Sequence, residues 1–166
     1  MNQASHYLDL LHWLIGPVES IQANSATLGR NIEVEDTATL LIKWRSAALG
    51  TMAVTMLTYP ENLEGSITIL GTKGSVRIGG KAVNEIELWK FADEDQDDEL
   101  IKKASYETTS VYGFGHYAYY HNLFDHIQND EAPVCDGREG LKSLELLIAS
   151  YRSARDKKPV YLPLHI

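Results

Sequence analysis

The chain has 166 residues, 44% of them apolar and 23% charged, with a formal net charge of −8 at pH 7. That is the size and composition of one globular domain able to bury a core, not of a disordered or fibrous chain. The acidic excess offers phosphates too few Lys and Arg, so nucleic acid is excluded as an expected partner. Apolar runs are too short for a membrane span, and no basic-then-apolar leader precedes a cleavage site, so a cytoplasmic location is expected. Cys135 is the only cysteine. It forbids an internal disulfide and suits a reducing compartment.

The first predicted element is a helix. Ala4, Leu8, Leu11 and Leu14 recur at spacings of four, three and three, and Ile15 widens the stripe. Gly16 suits the C-terminal cap and Pro17 cannot continue the helix, so it ends there. Asn2, His6 and Asp9 lie four and three residues apart, near one face that differs from the leucine stripe. On composition alone this is the wet side of an amphipathic helix. The chemical alternative is a histidine base oriented by its neighbours, because imidazole titrates near neutrality and can take a proton from a substrate hydroxyl.

From Val18 to about Phe91 the pattern is β. The segments VESIQANSATL, TATLLIKW, LGTMAVTML, GSITILG, SVRIGG and NEIELWKF are short runs rich in Val, Ile and Thr, punctuated by Gly, Pro and Asn. Thr72, Lys73 and Gly74 signal a tight hairpin. Connections this short leave no room for crossover helices, so antiparallel pairing is expected. Residues 92–99, ADEDQDDE, are expected to form a solvated acidic loop, and they lack the glycine and glutamate of an EF-hand.

Two more helices follow. Tyr117, Tyr120, Phe124 and Ile127 form one stripe, with the tyrosines expected to pack by their rings in a core. Asp136 and Glu139 have capping-box spacing, and Leu141, Leu144, Ile148 and Tyr151 carry a second stripe toward RDKKP, whose cations suit a helix C-terminus. VYLPL, residues 160–164, reads as a final edge strand, where its proline is tolerable. The expected fold is a single α+β domain over residues 1–166, an open, largely antiparallel sheet with helices packed on one face. TATLLIKW and LGTMAVTML carry apolar residues at both parities, so the other face also wants cover. A second copy of the chain is the expected cover, giving a homo-oligomer.

Other chemistry is sparse. His6 and His12 are six residues apart and point to different sides of a helix, and His121 and Asp125 lack an evident third partner, so no metal site is expected. Gly113 and Gly115 flank Phe114 just before a helix, a loop that could bring backbone close to a ligand. His116, at that helix start, is a candidate ligand contact. No G-x-G-x-x-G, P-loop or G-x-S-x-G occurs.

With these residues in view, MNQASHYLDLLHWLIGPVESIQA resembles the start of the C-terminal domain of the Gfo/Idh/MocA oxidoreductases, with His6, Asp9, Trp13 and Gly16 on the motif positions. The closing GREGLKSLELLIASYRSARDKKPVYLP is similar to that family's end. Asn2 stands where many members have aspartate and Ala4 where they have glycine, and NQASHY looks most like the branch that oxidises the 3-hydroxyl of UDP-N-acetylglucosaminuronate. The resemblance implies the substrate and catalytic half of a dehydrogenase acting on a sugar or sugar nucleotide. NAD or NADP would be bound mainly by an N-terminal Rossmann domain that this chain lacks, so the chain alone is expected to be inactive. It implies that His6 accepts or relays the hydroxyl proton, that Asn2 and Gln3 position the sugar, and that Asp9 supports His6 or favours the helix dipole. A freestanding oligomerisation or ligand-binding module of the same fold is the alternative, since one fold hosts many functions.

Overall fold

A computed structural model describes residues 4–164 apart from 62, 64, 81, 94, 97, 102 and 109–112. They form two compact units, one built from residues 1–62 and 135–166, the other from the intervening residues 63–134.

In the first unit the helix α1 (Ser5–Ile15) is followed by the strands β1 (Val18–Ala26), β2 (Thr37–Trp44) and β3 (Leu49–Thr55). Gly16 closes α1 at φ 103°, a conformation that favours glycine, and its N–H returns to the carbonyl of His12. Ala4 and Leu8 are buried and Leu11 and Ile15 pack beside them, as the spacing predicts. Leu14 and Trp13 turn outward instead.

β1, β2 and β3 pair antiparallel in sequence order, and the short β7 (Val160–Tyr161) adds to the free side of β1, giving the order β3-β2-β1-β7. β2 alternates strictly: Ala38, Leu40, Ile42 and Trp44 are buried, while Thr39, Leu41 and Lys43 face out. The inner set meets Leu8, Ile21, Ala23, Leu146 and Ala149 in one core. Gly50 on β3 is dictated by that core, because a Cβ there would lie 2.7 Å from the Trp44 ring.

α4 (Gly137–Asp156) covers the same sheet face. Asp136 caps it through Oδ1, which accepts from the N–H groups of Arg138 and Glu139 at 2.8 and 3.0 Å. The reciprocal half of the capping box does not form, since Glu139 instead pairs with Lys142 at 2.6 Å. The face that α4 buries corrects the sequence expectation. Leu146, Ala149, Ser150 and Ser153 face the core, and Leu141, Leu144, Ile148 and Tyr151 stay exposed. Small side chains let the helix approach the sheet closely, and the two buried serines satisfy their hydroxyls on backbone groups.

The sheet face opposite the helices is lined by Gln22, Leu41, Lys43, Leu49 and Thr51, with Leu41 57% and Leu49 79% exposed. Register places Gln22 beside Leu41 and Lys43 beside Leu49, so the two leucines lie diagonally on one surface.

The second unit contains β4 (Ile67–Gly71), β5 (Gly74–Gly79) and β6 (Glu85–Phe91), antiparallel in the order β4-β5-β6, then α2 (Asp98–Ile101) and α3 (Gly115–Gln128). The expected hairpin is there, with Thr72 and Lys73 joining the Gly71–Gly74 pair. Among the described residues the strands thus fall into two open antiparallel sheets where the sequence suggested one. The acidic segment is not all loop: Asp98 opens α2 and accepts from Trp89 Nε1 at 2.7 Å. Tyr117, Tyr120, Phe124 and Ile127 are all exposed on α3, and no described residue of that helix is buried. The core role expected for Tyr117 and Tyr120 is therefore corrected. An apolar helical stripe shows that a face exists, not what covers it.

Candidate functional site

α1 carries His6 and Asp9, two of the site residues expected from the sequence. An α-helix places residues i, i+3 and i+7 along one side, so His6, Asp9 and Trp13 share a flank turned away from the buried Leu8, with Asp9 nearest to it at about 100° and His6 almost opposite. His6 is solvent-exposed and Trp13 is 77% exposed. The imidazole is thus presented at the surface by a helix whose opposite side is anchored in the core.

Asp9 has a fixed partner. Its Oδ1 accepts a hydrogen bond from Ser143 Oγ on α4, across 134 residues of sequence. Among the described residues no hydrogen bond joins Asp9 to His6. Asp9 is also the fifth residue of α1, one turn too far along to act on the N-terminal dipole, which corrects that part of the expectation. Ser143 was missed by sequence reading: a serine in an amphipathic helix carries no local signal of a partner on another helix.

Asn2 and Gln3, expected to position a sugar, lie outside the described residues. His116 is the second residue of α3 and exposed, and it belongs to the other compact unit.

His12, the other imidazole of α1, turns toward a small cavity of about 80 Å³ lined also by Arg45, Lys142, Glu145 and Leu162. Its Nδ1 is buried and finds no hydrogen-bond partner among the described residues. Ligand pockets usually enclose roughly 300–1,000 Å³, so this space does not hold a sugar nucleotide. Among the described residues no three His, Cys, Asp or Glu side chains gather to hold a metal, and no helix is long and apolar enough to cross a membrane.

Two buried or tethered acids shape the loop before β2. Asp36 accepts from the N–H groups of Leu28, Gly29 and Arg30 at 2.8–3.0 Å, and those bonds, with Leu28 foremost, hold its carboxyl far below the usual carboxylate range. Beside it Glu35 accepts from the Tyr151 hydroxyl at 2.8 Å. Partial burial, and then that bond to the carboxylate, push the Tyr151 phenol up to about 12.

The phosphates of a dinucleotide are held by backbone N–H groups at a helix N-terminus. The donor set for them is a glycine-rich turn between a strand and a helix, and the sequence has none, so no residue here is assigned to a cofactor.

Residues 1–162 match the profile of the oxidoreductase family, C-terminal alpha/beta domain. The WlbA dehydrogenase from Chromobacterium violaceum, crystallised with NADH and UDP-GlcNAcA, is 64% identical, with a TM-score of 0.90 over 100% of this chain and 46% of its own. The WlbA dehydrogenase from Bordetella pertussis, also with NADH and UDP-GlcNAcA, is 62% identical, with a TM-score of 0.93 over 99% of this chain and 48% of its own. A levoglucosan dehydrogenase in complex with NADH, 18% identical with a TM-score of 0.80 over 98% of this chain and 49% of its own, shares the fold. The chain therefore spans about half the length of these proteins. A search of curated proteins gave no match.

Proposed function

The chain belongs to the Gfo/Idh/MocA oxidoreductase family, whose C-terminal α/β domain it matches over nearly its whole length, and from that premise we propose that it is the substrate and catalytic half of an NAD(P)-dependent dehydrogenase acting on a sugar nucleotide of the UDP-GlcNAcA type. The observation that carries this is identity of 62–64% across the chain with two dehydrogenases crystallised with NADH and UDP-GlcNAcA. Residues 1–166 would act as one substrate-binding and oligomerisation module beside a dinucleotide-binding domain.

A nicotinamide dinucleotide, when bound, supplies the two-electron acceptor for such an oxidation. The residues of this chain supply the rest. His6 takes the proton of the reacting hydroxyl on a ring nitrogen and later releases it to solvent, a role that suits a solvent-exposed imidazole. Asn2 and Gln3, within one turn of it in sequence, are assigned to the sugar as neutral hydrogen-bonding groups, and His116 to a second contact. The amide of Asn2 cannot itself act as the base, which leaves that task to His6. The exposed Leu41 and Leu49 support a homo-oligomer joined through the open sheet face.

The test is replacement of His6 by Ala in the complete protein, assayed for NAD reduction with UDP-GlcNAcA. Loss of a positioned proton acceptor is expected to lower kcat by about 10²–10⁴-fold with a smaller change in KM. An unchanged kcat would remove His6 from the chemistry, and no turnover of any sugar nucleotide by the unaltered protein would remove the activity.

A further inference from the structure

α1 runs over 11 described residues, Ser5–Ile15, and Ala4 at its N-cap position makes no side-chain hydrogen bond. A helix of that length is marginal in water by itself, so its direction is set by what it packs against. Ala4, Leu8, Leu11 and Ile15 hold it to the core, but apolar contacts have little directionality and tolerate a roll about the helix axis. Asp9 is different. It sits on the flank between the buried side and His6, and its carboxylate is bonded to Ser143 Oγ on α4. The charged neighbours of Ser143 do not compete for that carboxylate, because Lys142 Nζ is bonded to Glu139 at 2.6 and 2.8 Å and Glu145 accepts from Leu164 N–H at 2.6 Å.

We propose that Ser143 is a positioning residue for the reaction, acting through Asp9 to fix the rotation of α1 and hence the direction in which His6 faces; this rests on the dehydrogenase function proposed above. An imidazole lies about 5–6 Å from its helix axis, so a roll of about 20° displaces it by roughly 2 Å. A misplacement of about 1 Å at a reacting group can cost up to about 10²-fold in rate. The hydroxyl–carboxylate bond is a directional contact between α1 and α4 among the described residues, and it restrains the roll in a way that apolar packing does not. Ser143 touches neither substrate nor cofactor in this role.

The experiment uses the complete protein and four changes, Ser143→Ala, Ser143→Thr, Asp9→Ala and His6→Ala, singly and in pairs. Ser143→Ala is expected to lower kcat about tenfold or more while KM for UDP-GlcNAcA stays within about twofold. Ser143→Thr, which keeps the hydroxyl, restores most of the rate. Asp9→Ala loses a similar factor, and the Ser143→Ala/Asp9→Ala pair loses no more than Asp9→Ala alone, as two members of one contact should. Added to His6→Ala, the Ser143 change has no further effect on the residual rate. A kcat for both Ser143→Ala and Asp9→Ala equal to that of the unaltered protein, or an equal loss with and without His6, overturns the proposal. If His6→Ala is severely impaired while Ser143→Ala is not, the positioning role alone fails. If His6→Ala retains full kcat, the catalytic assignment beneath it fails as well.

Discussion

Ser153 on α4 and Ala23 on β1 are tied together across 130 residues of sequence: the Ala23 N–H donates to Ser153 Oγ at 2.9 Å, and that hydroxyl donates onward to the carbonyl of Lys158 at 2.7 Å. Ser153 is fully buried. Its hydroxyl serves both a strand group left over from the ladder and a carbonyl just past the end of α4. Replacement by Ala would strand the Ala23 N–H away from water. Ser153→Ala should lower unfolding free energy by about 1–3 kcal/mol, measured as a reduced urea midpoint with an unchanged slope. A midpoint equal to that of the unaltered chain would mean the strand group finds another partner.

Asp36 makes the loop before β2 acid-sensitive. Its folded-state carboxyl titrates well below the unfolded value of about 3.9, because three backbone N–H groups bond the ionised form. A depressed folded value means the unfolded chain binds the proton first. The stabilisation is therefore complete above about pH 4 and is lost as pH falls through the folded value. Asp36→Asn should be less stable than the unaltered chain at pH 7, and the gap should narrow steadily below about pH 4 in urea titrations. A gap independent of pH would assign the effect to packing.

Leu41 and Leu49 supply the apolar part of the open sheet face, and neither contributes to the core. Leu41→Glu together with Leu49→Glu should abolish self-association in sedimentation velocity while leaving the melting temperature of the monomer within a few degrees, because exposed substitutions seldom change stability by more than about 0.5 kcal/mol. An assembly that survives both charges must be joined elsewhere.

Much of the fold could be read from local pattern. α1 and its glycine stop, the Thr72–Lys73 hairpin and the Asp136 cap all follow from spacing or turn chemistry within a few residues, whereas the inward face of β2 does not, because its apolar residues fall at both parities. The orientation of α4 could not, because hydrophobicity ranks Leu141 and Ile148 above Ala149 and Ser150. The sheet instead selects the small residues that permit close approach. The division into two sheets was hidden for a related reason: alternation identifies a strand but not its neighbour. At the site, His6 was marked by a helical motif, whereas the Ser143–Asp9 bond is a long-range pairing that no local window contains.

The first unit is assembled from the beginning and the end of the chain, with the second unit's 72 residues between them, and α4 supplies both the Ser143 anchor and the packing beneath β1. A ribosome adding about 5–20 residues per second completes α1 long before α4 emerges. During that interval the histidine helix has neither its anchor nor its full floor, and premature termination ahead of residue 137 would leave it permanently unsupported. Nascent chains arrested at that point should expose α1 to proteases that the finished polypeptide resists.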